Sequence, residues 1–427
     1  MKNIATLFLF LLFQVSTSQN YTEYHTGSTT DVNTNHEFGI CMMGGASEND
    51  NAMIWFLNRT NGGDVVVLRA SGSNGYNNYM YSELGVTINS VTTFVIHNTS
   101  GAIDPYVLDK VAKAEAIWFA GGDQFDYVTY FKDNAMEDTL NNFINNKQGV
   151  IGGTSAGMAI LGSSYFSAEN GTVTNAQALS NPYHNRMTLG YDDFLTIPYL
   201  QGVITDTHYD DPDRRARHAT FLARYATDNN SSAFGIACNE YTSVCIDDNG
   251  MARVYGEYPT YPEYAFFLQS NCTNDFLPET CVSNEPLTWN RAGEAIKVAK
   301  IPGTETGENY IDIGGWNLGA GQEWENWYVN SGTFSTDPTI NPQCDLLGIN
   351  EANTFEITVS PNPFSDEIVI HADEEENLKY NLYNALGKQF EIDIKNKRIS
   401  TSKLSSGVYF LAVSKGHKKQ TLKLIKQ

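Results

Sequence analysis

The sequence predicts an α/β domain whose parallel sheet is covered by helices on both faces, followed by a small all-β sandwich. From about residue 38, short runs rich in Val and Ile alternate with helix-like stretches, which is the pattern of βαβ units. After about residue 352 only short alternating runs remain, separated by turn residues. The 427 residues suffice for a catalytic domain and an accessory one.

Five strands are predicted in the first domain: Phe38–Met43, Val65–Arg69, Thr93–His97, Ala116–Ala120 and Val150–Gly152. Helix-like stretches such as Pro105–Ala114 and Asn134–Asn146 lie between them. Residues 250–330 are rich in Tyr, Trp, Gly and Pro, and we expect irregular and strand structure there that completes the catalytic domain, 19–334. Residues 335–352 are predicted to form a linker. Ligands of such sheets bind beyond the carboxyl ends of the strands.

The second domain, predicted over residues 353–427, differs in both pattern and charge. From residue 350 onward it has 11 Lys and Arg against 10 Asp and Glu, which leaves 16 against 39 upstream. Its six predicted strands are Phe355–Ser360, Glu367–His371, Lys379–Tyr383, Phe390–Ile394, Val408–Ser414 and Thr421–Ile425. Regular spacing of such runs predicts a β-sandwich.

The N-terminus predicts a signal peptide over residues 1–18. Lys2 precedes the apolar run Ala5–Phe13, and the small residues Ser16 and Ser18 precede a cleavage point before Gln19. The alternative is a buried N-terminal strand. The run is too short for a permanent span, and no other stretch is longer, so we expect a mature protein without a membrane span.

Charge and cysteine content exclude several functions. The formal net charge of −22 argues against nucleic-acid and anionic-membrane binding, both of which need clustered Lys and Arg. The six cysteines fit an exported chain and match no zinc spacing, so no metal or cofactor is predicted. Cys272 and Cys281 are close enough in sequence to form a bridge, although the sequence leaves the pairing open.

The strongest catalytic motif is Gly153-Thr154-Ser155-Ala156-Gly157, which follows an apolar run and precedes a helix-compatible stretch. This is the G-x-S-x-G elbow in its strand–turn–helix setting, where small residues must flank the serine at the tip of a tight turn. The free N–H groups of the following helix favour negative charge where an oxyanion forms. The alternative is an ordinary glycine-rich turn between a strand and a helix.

A serine nucleophile needs a base, usually histidine, which a carboxylate orients. Outside the N-terminus and the tail, four histidines remain: His97, His184, His208 and His218. Of these, His208 follows an apolar-to-polar step typical of a strand end and is the best candidate base. Glu240 follows the apolar run Phe234–Cys238 and is the candidate orienting acid.

Four motifs in order resemble the cyanophycinase branch of the peptidases related to aspartyl dipeptidase: Ile117–Gln124, Gly153–Gly157, Asp206–Tyr209 with trailing arginines, and Gly235–Glu240. The resemblance covers residues 38–255 and, more loosely, extends to 330. It implies a flavodoxin-like sheet similar to that of class I glutamine amidotransferases, and a catalytic triad of Ser155, His208 and Glu240. It further implies an oxyanion hole formed by the N–H groups of Gly122 and Ala156.

The resemblance implies as substrate cyanophycin, a polyaspartate with arginine on each β-carboxyl, cleaved to β-aspartyl-arginine dipeptides. The residues expected to bind it are Gln124, Asp206, Thr207, Arg214 and Arg217. Two departures leave the exact substrate open, because Pro212 replaces the first of three family arginines and Thr207 stands where glutamine is common. A secreted α-aspartyl dipeptidase and a catalytically inactive surface protein are the alternatives, and the sequence leaves a homodimer open.

The tail motifs Val359–Phe364, Tyr383–Lys388 and Leu404–Phe410 resemble the C-terminal sorting domain of the Bacteroidetes type IX secretion system. The resemblance implies that the secretion machinery is a partner and that the protein is secreted or displayed on the cell surface. The alternative is a carbohydrate- or surface-binding module, although the tail lacks an aromatic-rich face.

Overall fold

The computed structural model describes residues 19–271, 275–316 and 319–339 and, further on, 357–372, 379–384, 388–390, 392, 394–395, 397–415 and 418–427. These residues form two compact units, divided between residues 344 and 345. The predicted signal peptide lies outside the described residues. Within the described ranges, no helix combines the length and apolar character needed to cross a membrane.

The first unit contains eighteen described strands: β1 Tyr21–Gly27, β2 Gly39–Met43, β3 Asp64–Arg69, β4 Ser90–Ile96, β5 Ala116–Phe119, β6 Val150–Thr154, β7 Ser164–Phe166, β8 Leu189–Tyr191, β9 Val203–Asp206, β10 Phe234–Cys238, β11 Ser243–Asp247, β12 Met251–Tyr255, β13 Tyr264–Ser270, β14 Ile296–Pro302, β15 Tyr310–Asp312, β16 Gly319–Ala320, β17 Glu323–Asn330 and β18 Thr333–Thr339. All five strands predicted for this domain are present, with ends displaced by up to three residues.

The described residues of this unit also form nine α-helical segments: α1 Asp50–Asn58, α2 Gly75–Asn78, α3 Thr99–Ala102, α4 Pro105–Lys113, α5 Gln124–Phe131, α6 Ala135–Asn142, α7 Ala156–Ala159, α8 Asn175–Ser180 and α9 Arg215–Asn229. π-Helical turns follow α2 and α6, and a 3-10 turn spans Arg291–Gly293. The predicted helix over 134–146 thus changes to π geometry after Asn142. Local sequence explains why helix α4 begins where it does: the Asp104 side chain caps its first turn, and Pro105 occupies its first position.

The first sheet has ten described strands in the order β1-β4-β3-β5-β6-β2-β11-β12-β15-β16. Its centre, from β4 to β2, is parallel, as predicted. The strands added at both sides, β1 on one side and β11, β12, β15 and β16 on the other, run antiparallel to their neighbours and were not predicted as part of this sheet.

Both faces of the parallel centre are covered by helices. Along β2, Ile40 and Met42 join one apolar cluster and Cys41 and Met43 join another, because successive side chains of a strand point to opposite faces. The first cluster includes side chains of α4, α5 and α6, whereas the second includes side chains of α1. The predicted α/β arrangement is confirmed at this level.

A second sheet, with the described strand order β18-β17-β14-β13-β10-β9-β7-β8, was not predicted. Strands β9 and β10 are parallel to each other, and β13, β14, β17 and β18 extend the sheet in antiparallel fashion. One face contributes Val203, Ile236 and Phe267 to the cluster shared with the first sheet. The other face packs against α9 through a separate cluster. The described part of residues 250–330 therefore contains six strands, three in each sheet, joined by irregular segments.

The predicted linker began too early. Residues 335–339, placed at its start, belong to β18 and pair with β17 in register. Backbone hydrogen bonds form this pairing, so the strand needs few apolar side chains, and polar residues such as Asp337 suit an edge strand. The rest of the predicted linker, 340–352, lies outside the described residues.

The second unit has eight described strands: β19 Ile357–Ser360, β20 Glu367–Ala372, β21 Lys379–Asn384, β22 Gln389–Phe390, β23 Ile394–Lys395, β24 Arg398–Ser400, β25 Gly407–Lys415 and β26 Lys418–Lys426. They form two four-stranded sheets in the orders β19-β20-β24-β23 and β22-β21-β25-β26. Ile368 and Ile399 of one sheet and Leu411 and Leu424 of the other share a core. This is the predicted sandwich, although the single strand predicted over 390–394 is divided between β22 and β23.

Candidate active site

Ser155 lies in the sharp turn between β6 and α7, with φ 52° and ψ −117°. A Cβ on Gly153 would come within 2.6 Å of the Gly157 carbonyl carbon, and one on Gly157 within 2.1 Å of the Phe119 carbonyl oxygen. Only glycine fits both flanking positions. The backbone of the turn therefore holds the serine in an unusual conformation at the carboxyl end of β6.

His208 follows β9 and also has a positive φ, 46°. Its Nε2 lies 2.8 Å from the Ser155 Oγ, a hydrogen-bond distance at which the imidazole can accept the hydroxyl proton. The two residues come from different sheets, because β6 belongs to the first sheet and β9 to the second.

Glu240 follows β10, the parallel neighbour of β9. Its Oε1 lies 2.5 Å from the His208 Nδ1, so the carboxylate can accept the ring N–H and fix the tautomer that leaves Nε2 free. The backbone N–H of Glu240 donates to Asp210 Oδ1 at 2.9 Å. Ser155, His208 and Glu240 are thus brought together in the order that the sequence predicted.

The segment Met43–Gly45, which begins at the last residue of β2, connects the three loops that carry these residues. Its three successive carbonyl oxygens accept backbone N–H bonds from Ser155 at 3.0 Å, His208 at 2.8 Å and Tyr241 at 3.1 Å. A Cβ on Gly45 (φ 122°) would lie 2.4 Å from the His208 ring. Because Gly44 and Gly45 have no Cβ, this backbone can pass close to the loops that carry His208 and Glu240.

A cavity of about 230 Å³ opens beside Ser155 and contains every predicted site residue except Glu240. Its lining residues are Gly122, Gln124, Ser155, Ala156, Ala159, Phe166, Ala168, Thr172, Thr205, Asp206, Thr207, His208, Arg214 and Arg217. Gly122 and Ala156, the predicted oxyanion-hole residues, both line the cavity, and Gly122 has a positive φ of 152°. Gln124 donates from Nε2 to the Phe166 carbonyl at 3.3 Å.

Asp206 and Arg217 form a buried ion pair in the cavity wall. The guanidinium donates from Nη2 to Oδ1 at 2.5 Å and from Nε to Oδ2 at 2.9 Å, and each side chain is 5% exposed. Burial alone would raise the pKa of Asp206, but the Arg217 charge and hydrogen bonds outweigh it and hold that pKa below its ordinary value. The two predicted substrate-binding residues therefore neutralise each other.

Arg214 is the cation of the cavity that has no carboxylate partner. Its Nη1 donates to the Thr207 carbonyl at 3.0 Å, and within the described part of the chain no carboxylate lies at salt-bridge distance from it. Burial, followed by repulsion from Arg217, lowers the pKa of Arg214 below its ordinary value, which still leaves an arginine charged. Arg214 can therefore bind an anionic group that enters the cavity.

Sequence reasoning missed the residues that position the triad through the backbone. The Asp210 side chain accepts the Glu240 N–H, and the Gly44 carbonyl accepts the His208 N–H. Gly45 has no Cβ and so leaves room for the His208 ring. The Gly-Gly pair directly after β2 was the available sequence signal. Phe166 and Thr172 also line the cavity, but no motif marks them.

A serine hydroxyl, an imidazole and a carboxylate in a hydrogen-bonded row, beside a cavity with one unpaired cation, form an arrangement that can hydrolyse an acyl bond. Residues 71–254 match the family model of peptidase family S51 and residues 358–427 match the secretion system C-terminal sorting domain. The chain therefore contains a peptidase family S51 domain and a C-terminal sorting domain.

The chain is also similar to curated cyanophycinases from Synechococcus elongatus and Thermosynechococcus vestitus. Each is 22% identical over 236 residues, which are 53% of this chain and 68% of the relative. A crystal structure of a peptidase from an acI-B1 Actinobacterium matches with a TM-score of 0.38 and 14% identity, over 53% of this chain and 93% of that chain.

Proposed function

We propose that the first unit is a serine peptidase that hydrolyses cyanophycin or a related aspartyl peptide to dipeptides. The observation that carries the proposal is the continuous hydrogen-bonded row from Ser155 Oγ through His208 to Glu240. The similarity to cyanophycinases supports the substrate class. Five adjacent parallel strands between helical layers, with the nucleophile at a strand end, support a variant of the flavodoxin-like fold.

In this mechanism His208 Nε2 accepts the proton as Ser155 Oγ attacks the scissile carbonyl. Glu240 stabilises the resulting imidazolium, and the backbone N–H groups of Gly122 and Ala156 receive the oxyanion. His208 then gives the proton to the leaving amine, which leaves an acyl group on Ser155. A water molecule, activated by the same histidine, hydrolyses this ester and frees the enzyme.

Arg214 is the residue that we expect to bind a carboxylate of the substrate. In cyanophycin the arginine joined to each aspartyl β-carboxyl keeps its own free α-carboxylate, and a guanidinium binds such a carboxylate through paired N–H groups. The one carboxylate that lines this cavity, Asp206, is bonded to Arg217. A cationic side chain of the substrate must therefore extend out of the cavity.

The experiment that tests this function treats insoluble cyanophycin with the purified mature protein and identifies the products by mass. We expect β-aspartyl-arginine dipeptides. Release of products from α-aspartyl dipeptides alone would favour the dipeptidase alternative. Absence of turnover on both substrates by folded protein would favour an inactive surface protein.

A pair of variants tests the role of Arg214 in the same assay. Arg214→Gln should raise KM by at least about tenfold, because a charged hydrogen bond to the substrate is lost. Arg215→Gln is the matched control, because the Arg215 guanidinium pairs with Asp213 and does not line the cavity. Equal KM values for the two variants would contradict the proposed contact.

The second unit directs secretion. The sorting domain indicates transport through the type IX system to the cell surface or the medium. We propose that the machinery binds this sandwich directly and that the predicted signal peptide first carries the chain across the inner membrane.

Deletion of residues from 353 onward should stop the protein at the periplasm of a host with type IX secretion, while the periplasmic fraction keeps peptidase activity. Peptidase activity should remain because all described residues of the proposed triad and cavity are at or before position 240 in the chain. Cell fractionation and activity assays measure both effects.

The full-length Ser155→Ala variant is the control for export, since it retains the tail and should reach the surface or the medium normally. Truncated protein in the medium at the full-length level would rule out the sorting role. Loss of activity on insoluble polymer alone, with export maintained, would instead identify the tail as a polymer-binding module.

A further inference from the structure

Two buried cysteines lie opposite each other on adjacent strands of the first sheet, close to the loops that carry Ser155, His208 and Glu240. Cys41 on β2 and Cys245 on β11 are directly opposite in the antiparallel register, and their sulfur atoms are 3.7 Å apart. Both side chains are fully buried in the same apolar cluster. We propose that these two cysteines form a disulfide in the exported protein.

The backbone geometry fits such a bond. The Gly44 N–H donates to the Thr242 carbonyl, so positions 44 and 242 form a hydrogen-bonded pair. Because such pairs alternate along an antiparallel ladder, Cys41 and Cys245 fall at a non-hydrogen-bonded pair, whose Cα atoms are about 4.5 Å apart. Disulfides span Cα distances from about 4.4 to 6.8 Å. The sulfur atoms need to approach from 3.7 Å to about 2.0 Å, without displacement of the strands.

Formation of the bond removes two protons and two electrons from the two thiols. A protein or small-molecule disulfide of the oxidising compartment takes up these two electrons and two protons and is released in its reduced thiol form. One cysteine thiolate attacks this oxidant, and the thiolate of the other then displaces it from the mixed disulfide. Burial raises the pKa of the Cys245 thiol well above its ordinary value, so the exchange must occur while the strands are still open during folding.

The bond would stabilise the backbone that positions the triad. Strand β2 leads directly into Met43–Gly45, whose carbonyls hold the catalytic loops, and β11 begins three residues after Glu240. Cys238, on β10, is also a buried free thiol, but it packs in the cluster on the other face of the first sheet. Cys281 is a buried free thiol as well, and its suggested partner Cys272 lies outside the described residues.

Peptide mapping tests the bond directly. Protein from an oxidising compartment is denatured with an alkylating reagent in the absence of reductant, digested and analysed by mass spectrometry. We expect a linked peptide that contains Cys41 and Cys245 and that separates on reduction. Alkylation of both cysteines without prior reduction, or a linked peptide that contains Cys238 instead, would overturn the proposal.

A second measurement covers the effect on stability. Wild-type protein refolded with an oxidised disulfide reagent should unfold at a higher temperature than protein refolded with excess dithiol. The double variant Cys41→Ala/Cys245→Ala should give the same midpoint under both conditions, whereas Cys238→Ala should keep the difference. A wild-type midpoint that does not depend on the redox conditions would refute the stabilising bond, even where the double variant fails to fold.

Discussion

Replacement of Ser155 by alanine should lower the rate of peptide hydrolysis by about a million-fold, the typical cost of losing a serine nucleophile. The Oγ atom that is lost is the one that lies 2.8 Å from His208 Nε2. Without it the imidazole has no hydroxyl to deprotonate and no acyl-enzyme forms. Single-turnover and steady-state assays on the same substrate measure the loss.

The fold should tolerate this change, because the hydroxyl is partly exposed and its hydrogen bond joins two loops that backbone bonds already hold. Ser167→Ala is the matched control. Its buried hydroxyl donates to the Thr188 carbonyl beside the cavity but does not contact His208. Similar unfolding temperatures for both variants, with activity lost only in Ser155→Ala, would support the assignment. Near wild-type turnover by Ser155→Ala would refute it.

The parallel centre of the first sheet could be predicted because its signals are local. Runs such as Val65–Leu68 and Ala116–Phe119 are apolar throughout, as strands buried on both faces must be, and polar or small residues mark their ends. The elbow around Ser155 is local too, since its glycines fix the turn within five residues. Short-range patterns therefore predicted the strands of this centre and the sharp turn that holds Ser155.

The assignment of strands to sheets could not be predicted in the same way. Strands β9 and β10 resemble the strands of the first sheet in sequence, yet they form the parallel part of a second one. Which sheet a strand joins depends on side chains distant in the chain, such as Val203 and Phe267 in the shared core. Ser155 and His208 were therefore paired by chemistry and motif order, without knowledge that two sheets meet there.

The roles that were hardest to predict from the sequence are those that depend on backbone atoms or on a neighbouring side chain. The carbonyl oxygens of Met43 to Gly45 have no side-chain signal, although they hold three loops. Arg217 was expected to bind the substrate because it matches one of the family's arginines, whereas the fold places the Asp206 carboxylate against it. The sequence shows that both charges exist, but only the tertiary structure shows which of the arginines is left for a substrate.

Replacement of Glu240 by glutamine should lower the rate of hydrolysis by about ten-thousand-fold, which is the loss expected when the orienting carboxylate of a triad becomes an amide. The carboxylate accepts the His208 Nδ1–H at 2.5 Å. An amide NH2 group in that position donates to Nδ1 and favours the tautomer with its proton on Nε2. That tautomer cannot accept the Ser155 proton, and the imidazolium also loses its counter-charge.

The Glu240→Gln variant should fold normally, because the side chain is 24% exposed and its backbone N–H keeps its bond to Asp210. Glu263→Gln is the matched control: this carboxylate is buried and accepts the Glu257 N–H, but it does not contact His208. We expect kcat to fall in Glu240→Gln alone, with little change in KM. Full activity in this variant would assign the orienting role to another carboxylate. Asp206 is an unsuitable replacement, because both of its oxygens already accept hydrogen bonds from Arg217.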